Sequence, residues 1–252
     1  MALPTISAGA APPRPRIDQA ELSKLPSNVA IAAIQTFINQ FQYNFSGKPY
    51  VKMRKNLGYS HVFSCAMEII DAALPIQCVE ATFIGLYLTC GLENLTRVPL
   101  SFKSYFEDGS HRHMVLALRN EEGMWGAVGI SRRPDLMDKP MVYASLYDLI
   151  LEYKQCFNAN YHRLSAVYFG SPFTHTLTLY SRDTANETAV QWKELRVKLS
   201  SNMMTGEELD RKRELYIAKH NRDLSSTGTK SNLLIGLGIR ERCDIFTADR
   251  AS

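Results

Sequence analysis

The sequence lacks the features that mark a membrane-spanning or secreted protein. It has no stretch near the roughly 18 consecutive apolar residues that a membrane-spanning helix needs. The opening segment, MALPTISAGAAPPRPR, is broken by prolines and has no continuous apolar core, so it is unlike a signal peptide. The sequence therefore predicts a protein that is made and kept in the cytosol.

The cysteines lack the spacing of a disulfide framework or a zinc site. Their number is odd, and no two of them form a CxxC pair. Reduced thiols fit a cytosolic protein better. We therefore expect no metal and no cofactor. The five cysteines are Cys65, Cys78, Cys90, Cys156 and Cys243.

A strong excess of one charge is also missing. The formal net charge is only +4 over 252 residues, whereas a nucleic-acid-binding protein usually carries a much stronger basic stripe. With 45% hydrophobic and 21% charged residues, the composition is that of an ordinary soluble globular protein. We therefore expect no nucleic-acid partner.

The composition changes along the chain and predicts three parts. Residues 1–25 are rich in Ala and Pro and are expected to form a flexible leader. Residues 26–224 are expected to form the globular domain, with a helical part over about 26–92 and a sheet-containing part over about 93–224. Residues 225–252 are mainly polar and are expected to form a tail.

Hydrophobic periodicity predicts helices first and an antiparallel sheet after them, which is an α+β arrangement. One helix is predicted from Ser27 or Asn28 to about Phe41, and others over 60–73 and 75–91. The last of these has Pro75 in its first turn and Gly91 as a left-handed end. From about Arg112 the hydrophobic period shifts to two residues, which predicts strands, and residues 119–123 are predicted to connect two of them as a hairpin. A helix over 143–153, strands over 164–167 and 175–180, and a charged helix over 205–220 follow.

Cys78 is a candidate nucleophile because it lies in the first turn after Pro75. Backbone N–H groups and the helix dipole at such a position stabilise a thiolate, and the same amides can hold an oxyanion. The other four cysteines lack this setting. The competing interpretation is that Cys78 is a small buried hydrophobe, which is the usual role of a lone cysteine in an apolar helix.

His113 is the candidate base. It begins an alternating strand 35 residues after Cys78, and the hairpin return ends at Ser131. A cysteine at a helix start, a histidine on one strand and an orienting group on the next fit thiolate chemistry. His111 is a rival two residues earlier, and His162 and His175 are weaker candidates.

Four segments in order resemble the vasohibin family. They are FQYNFSG at 41–47, LPIQCVEATFIGLYLT around Cys78, PLSFKSYF followed by RHMVLAL around His113, and GAVGISRRPDLMDKP around Ser131. The resemblance runs with similar spacings from about residue 26 to 155 and continues more faintly to about residue 222. It implies a transglutaminase-like cysteine peptidase fold. It also implies a triad of Cys78, His113 and Ser131, in which the serine acts chiefly through its main-chain carbonyl.

The activity that the resemblance implies is release of the C-terminal tyrosine from α-tubulin, on microtubules in the cytoplasm. Vasohibins usually work with a small helical partner, the small vasohibin-binding protein, packed on their N-terminal helices. The apolar stripe from Val29 to Phe41 can serve such a partner or pack on the domain itself, and the sequence leaves both open.

A carboxypeptidase must also recognise a terminal carboxylate. Arg132 and Arg133 follow Ser131 directly, and Arg132 matches the family motif for gripping the carboxylate with two hydrogen bonds. Tyr43 matches a family tyrosine that lines the pocket.

Two further features bear on the acidic tail of the substrate. Lys48, Lys52, Arg54 and Lys55 have no acidic residue among them and can meet the glutamates of the tail, or can form an ordinary solvated loop. Gln77 stands where the family has a basic residue before the nucleophile, so it brings hydrogen bonds without charge. This departure favours an alternative, a related Cys–His enzyme that acts on another peptide tail or acyl group. A third hypothesis is a microtubule-binding module without catalysis.

Overall fold

The structure is a computed structural model that describes residues 16–54, 58–92, 94–107, 109–170, 173, 192 and the backbone of 195–198. Helices come first and a sheet follows, which confirms the α+β class. In these ranges no helix is long and apolar enough to cross a membrane. The same ranges hold no group of three or more His, Cys, Asp or Glu side chains placed to bind a metal ion.

The elements follow one another in a simple order. The helices are α1 Gln19–Leu22, α2 Ser27–Ile38, α3 Tyr59–Ala72, α4 Cys78–Leu88 and α5 Leu146–Ala159. The strands are β1 Thr96–Phe106, β2 Gly109–Arg119, β3 Trp125–Val128, β4 Lys139–Tyr143, β5 Arg163–Phe169 and β6 Leu195–Lys198. A 3-10 turn, Pro134–Leu136, lies between β3 and β4.

The sheet has the order β4-β3-β2-β1-β5-β6, and all of its neighbouring strands are antiparallel. Its two faces are covered by different helices. Met114, Leu116 and Leu118 of β2 pack into a core with α2, α3 and α4. Val115 and Ala117 point the other way, into a core with α5. Side chains of a strand alternate between faces, so odd-numbered β2 residues belong to the α5 side.

Helix α4 is buried on almost every side, as its continuous apolar sequence predicts. Phe83, Ile84 and Leu86 have no exposed surface. Gly85 lets the helix lie close to the sheet, because a Cβ atom there would be 3.1 Å from Leu116 Cδ2 and 3.2 Å from Val128 Cγ2. This packing fixes the height of α4 over β2 and β3.

The predictions for the start of the chain and for α4 need correction. Helix α1 begins after the cap Asp18, Leu22 is buried in the core, and Gln19 Nε2 donates to the Tyr87 carbonyl at 3.1 Å. The prediction of a flexible leader is therefore wrong for this helix, since an apolar side chain anchors it. Helix α4 spans Cys78–Leu88 and is capped by Thr89 in a right-handed conformation, so Gly91 is not a left-handed cap.

Of the remaining predictions, some are confirmed, one has different bounds and some fall outside the described residues. The hairpin over 119–123 and the strand over 164–167 are confirmed by β2, β3 and β5. The predicted helix over 143–153 exists but runs over Leu146–Ala159. Strands β1, β4 and β6 were not predicted. The predicted strand over 175–180, the charged helix over 205–220 and the tail over 225–252 lie outside the described residues.

Candidate active site

Cys78 is the first residue of α4, and its side chain is half-buried. The residue before it, Gln77, caps the helix in a capping box with Glu80. The Gln77 backbone N–H donates to Glu80 Oε2 at 2.7 Å, and Gln77 Nε2 lies 3.5 Å from the Asn44 carbonyl oxygen. Burial raises the pKa of Glu80, although the Gln77 N–H lowers it in part. The Gln77 side chain therefore contributes to the scaffold that presents Cys78.

Tyr43 is held beside this helix start by backbone pairing. Residues 42–44 run parallel to Ile76, which donates its N–H to Gln42 and accepts one from Asn44, each at 2.8 Å. Ile76 lies only two residues before Cys78. The proximity of Tyr43 to the start of α4 is thus a consequence of main-chain hydrogen bonds, which do not depend on side-chain rotamers.

Arg132 reaches the same place from the end of β3. Strand β3 pairs with β2 from Trp125 opposite Arg119 to Val128 opposite Leu116, so the chain after Val128 continues in the direction of His113. The exposed Arg132 guanidinium lies 5.6 Å from the centre of the Tyr43 ring. Within the described ranges no acidic side chain forms an ion pair with it. A guanidinium in this state can bind a carboxylate from outside.

His113 lies on β2 with its side chain on the α5 side of the sheet. Its ring stacks on Phe102, the residue opposite it on β1, at a centroid distance of 6.2 Å. Its Nε2 atom lies 2.6 Å from the carbonyl oxygen of Leu136. A carbonyl only accepts, so Nε2 carries the proton in the neutral ring and Nδ1 keeps its lone pair. The environment therefore selects the tautomer in which Nδ1 can accept a proton.

The pKa of His113 is lowered from 6.5 to about 4 because burial disfavours the charged ring, while the hydrogen bond to the Leu136 carbonyl raises it in part. At neutral pH the ring is uncharged. An uncharged imidazole can accept a proton from a thiol, which a protonated one cannot.

The structure corrects the third position of the predicted triad. The carbonyl in contact with His113 belongs to Leu136, five residues after Ser131. Ser131 instead accepts a hydrogen bond through its Oγ from the Arg133 backbone N–H at 3.2 Å, which supports the turn. The 3-10 turn Pro134–Leu136 folds the chain back over β2, and this return decides which carbonyl meets the ring. The group that contacts the ring is still a main-chain carbonyl, but it belongs to Leu136 and not to Ser131.

The other predicted binding residues are distributed differently from Arg132. Arg133 is exposed. Burial lowers the pKa of His162, and the charges of His111 and Arg133 lower it further, so Arg133 lies near His162. Arg54 is exposed, and its backbone N–H donates to His61 Nε2 at 3.0 Å. Lys55 lies outside the described residues. The structure thus brings Tyr43, Gln77 and Arg132 together near the start of α4, whereas Arg54 contacts His61 and Arg133 interacts with His162.

The rival histidines have partners of their own. The rings of His111 and His162 meet edge-on at 4.8 Å, and the Ser104 hydroxyl lies 3.1 Å from His162 Nδ1. His111 is exposed, whereas His113 is buried. His175 lies outside the described residues. Of the described rivals, neither has a main-chain carbonyl that fixes its tautomer.

Sequence reasoning missed two features of the site. The capping box of Gln77 and Glu80 was readable, because an acceptor three residues after a helix cap is its usual signature. The Leu136 carbonyl carried no signal at all, since every residue has a carbonyl and only the path of the chain selects one.

Comparison with known proteins identifies the family of the chain. The family model described as Vasohibin matches residues 3–225, and the chain belongs to the vasohibin family. It is 36% identical over 163 residues to tubulinyl-Tyr carboxypeptidase 1 of Mus musculus. That match covers 65% of this chain and 41% of the mouse protein, so the chain spans about two fifths of that relative.

Proposed function

We propose that this chain is a cysteine carboxypeptidase that releases the C-terminal tyrosine of α-tubulin. Cys78 is the nucleophile, His113 the base and the Leu136 carbonyl the group that orients it. The observation that carries the proposal is the His113 ring: it is buried and neutral, and Nε2 faces a carbonyl while Nδ1 is left as a base. The name of the mouse relative supports the choice of substrate.

The reaction begins with proton transfer from the Cys78 thiol to Nδ1 of His113. The thiolate forms at the first residue of α4, where the helix dipole favours negative charge. It attacks the last peptide carbonyl of the substrate, and backbone N–H groups at the start of α4 hold the developing oxyanion. The new imidazolium gives its proton to the departing amine, so tyrosine leaves and a thioester remains. Water then loses a proton to His113 and hydrolyses the thioester, which restores the thiol.

Specificity for a free C-terminus comes from Arg132. Its guanidinium binds the terminal carboxylate, and the Tyr43 ring that it contacts forms the adjoining wall. The exposed Arg54, together with Lys48, Lys52 and Lys55, meets acidic residues further up the tail. Gln77, which is engaged in the helix cap, contributes no charge, so anchoring of the carboxylate depends on Arg132.

The partners and location follow from this substrate. The enzyme acts on microtubules in the cytoplasm, and a small vasohibin-binding protein docks on its N-terminal helices. Most of the α2 stripe is already used by the domain, because Ile31, Ile34, Phe37 and Ile38 are buried. A partner on this helix therefore contacts its outer side, where Val29 is exposed.

The test is mass spectrometry of α-tubulin tails after incubation with the purified full chain, with and without the small vasohibin-binding protein. We expect loss of one tyrosine from the wild-type reaction and none from Cys78→Ala. The matched control is Cys65→Ala, which removes a buried thiol that lies 3.4 Å from His61 Nε2. Equal release by wild type and Cys78→Ala would refute the proposal. Modification of the tail without loss of tyrosine would favour the related Cys–His enzyme instead.

A further inference from the structure

The 3-10 turn that supplies the Leu136 carbonyl has an unusual set of partners. Three consecutive carbonyls, those of Asp135, Leu136 and Met137, each accept a hydrogen bond from a side chain. Lys139 Nζ donates to Asp135 at 2.7 Å, His113 Nε2 to Leu136 at 2.6 Å, and the Tyr153 hydroxyl to Met137 at 2.8 Å. Carbonyls at the end of a helical turn have no partner within it, so all three bonds fix the orientation of the turn.

Tyr153 contacts both the sheet and the 3-10 turn. It has no exposed surface, its ring packs on Phe102 at 4.8 Å, and Phe102 in turn stacks on His113. Burial raises the pKa of Tyr153 well above its usual value, and neighbouring negative charges raise it further, so the hydroxyl remains a donor at every physiological pH. One side chain therefore contacts both the wall behind the imidazole and the turn in front of it.

Lys139 is a buried cation whose position is also closely defined. Besides the Asp135 carbonyl, its Nζ atom lies 3.3 Å from Cys156 Sγ, 3.6 Å from Glu152 Oε1 and 5.2 Å from the centre of the Tyr153 ring. These groups all belong to α5. On the same turn, Asn160 Nδ2 donates to the Asp135 carboxylate at 2.6 Å. Tyr153 of α5 and Asn160 at its end thus bind the turn directly, and Lys139 of β4 links it to α5 through Cys156 and Glu152.

We propose that Tyr153 and Lys139 are positioning residues that hold the Leu136 carbonyl at hydrogen-bonding distance from His113. Lys139 and Tyr153, which take no part in the reaction, fix the carbonyls of Asp135 and Met137. The Leu136 carbonyl between them is then held in place through the planar peptide bonds. The Leu136 oxygen then sets the tautomer and the angle of the imidazole. The proposal rests on the proposed role of His113 as base, but its structural part can be measured without any reaction.

The first experiment uses nuclear magnetic resonance on the full chain with labelled histidine, in a Cys78→Ala background. Tyr153→Phe removes only the hydroxyl that binds the Met137 carbonyl. We expect the His113 Nε2–H signal to shift and broaden and the titration midpoint of His113 to change. Tyr161→Phe is the matched control, because this tyrosine follows the same helix but is 84% exposed, and its variant should leave the His113 signals unchanged. Unchanged His113 signals in Tyr153→Phe would overturn the proposal.

The second experiment measures tyrosine release by the same substitutions in the active chain. We expect Tyr153→Phe to lower kcat about tenfold with KM nearly unchanged, since misplacement of a reacting group affects the chemical step. Lys139→Met should act in the same direction through the neighbouring carbonyl. A changed His113 signal with an unchanged kcat would overturn the positioning role. If the wild-type chain releases no tyrosine, the proposed function fails, and the resonance experiment alone decides whether Tyr153 and Lys139 hold the imidazole.

Discussion

Cys65 and Cys78 belong to neighbouring helices. Cys65 lies beside His61, whereas the proposed mechanism pairs Cys78 with His113, and the chain places these two histidines differently. Cys65 lies one helical turn after His61, with Sγ 3.4 Å from Nε2. That nitrogen already accepts the Arg54 backbone N–H at 3.0 Å, so its lone pair is engaged. His113 instead donates from Nε2 to a carbonyl, so the Nδ1 atom keeps its lone pair.

The thiols differ as well. Cys65 is in the middle of α3, where burial and then the nearby Glu68 carboxylate raise the pKa of the thiol. Cys78 is the first residue of α4, where the helix dipole favours a thiolate. The comparison teaches that a short sulfur–nitrogen distance does not make a nucleophile. What matters is which nitrogen is free to take the proton and where the sulfur lies on its helix.

The sharpest way to test this comparison is to replace each histidine by glutamine. His113→Gln keeps a donor for the Leu136 carbonyl but removes the base, so tyrosine release should fall by about 10²–10⁴-fold. His61→Gln should leave kcat near the wild-type value. Steady-state rates of tyrosine release measure both. Comparable losses in the two variants would show that the two sites are not functionally distinct.

Substitution of Arg132 and of Arg54 should also have different effects on catalysis. Arg132→Ala removes the guanidinium over Tyr43, and we expect kcat/KM for a tail peptide to fall by about 10–100-fold, because a charge-assisted bond to the carboxylate contributes about 1.5–3 kcal/mol. Arg54→Ala should cost only a few fold, since it meets the tail through a solvent-exposed charge. A peptide with an amidated C-terminus should abolish this difference. Equal effects would indicate diffuse electrostatic recruitment.

The lowered pKa of His113 predicts a dependence of stability on pH. Between about pH 4 and 6.5 the unfolded chain binds a proton on this histidine and the folded chain does not, so acid favours unfolding. From pH 7 to pH 5 this group alone should lower the free energy of unfolding by about 2 kcal/mol, at about 1.36 kcal/mol per unit below 6.5. Urea titrations at both pH values in the Cys78→Ala background, with and without His113→Gln, isolate the effect. His61→Gln should retain it, and a pH dependence that survives His113→Gln would contradict the prediction.

The contact of α4 with the sheet gives a smaller effect. Gly85→Ala places a Cβ atom 3.1 Å from Leu116 Cδ2 and 3.2 Å from Val128 Cγ2, so α4 must shift away from β2. We expect a loss of about 1–3 kcal/mol in unfolding free energy and reduced tyrosine release. Ser64→Ala on the exposed side of α3 should change stability by less than about 0.5 kcal/mol. Full stability with full activity in Gly85→Ala would show that this packing does not position Cys78.

The parts that were predictable from sequence depend on local rules. The helices around Val62 and Phe83 and the hairpin closed by Gly123 follow from periodicity and turn chemistry. Strand β1 was not predicted because it is buried on both faces through most of its length and contains Pro99, so it lacks both alternation and a typical strand composition. Strand β4 is short, and its edge position leaves little pattern to read.

The same distinction between local sequence rules and tertiary packing applies to the candidate site. The position of Cys78 at a helix start was predictable because it is a local property. His113 was predicted to open an alternating strand, but β2 begins four residues earlier, at Gly109, and is buried on both faces from His113 onward. Arg132 and Tyr43 came from the family motif, and their contact at 5.6 Å agrees with it. The role given to Ser131 was wrong because the carbonyl that meets the imidazole is chosen by a turn five residues later.

The sequence by itself determined the helical start that carries Cys78, the strand that carries His113 and the membership of the chain in its family. Tertiary structure decided which carbonyl faces the imidazole, and therefore which of its nitrogens carries the proton in the neutral ring. The physical reason is that periodicity and capping act over a few residues, whereas the Leu136 carbonyl is aimed by donors on β4 and α5, Lys139 and Tyr153. Such a bond exists only once the sheet and its covering helix have packed together.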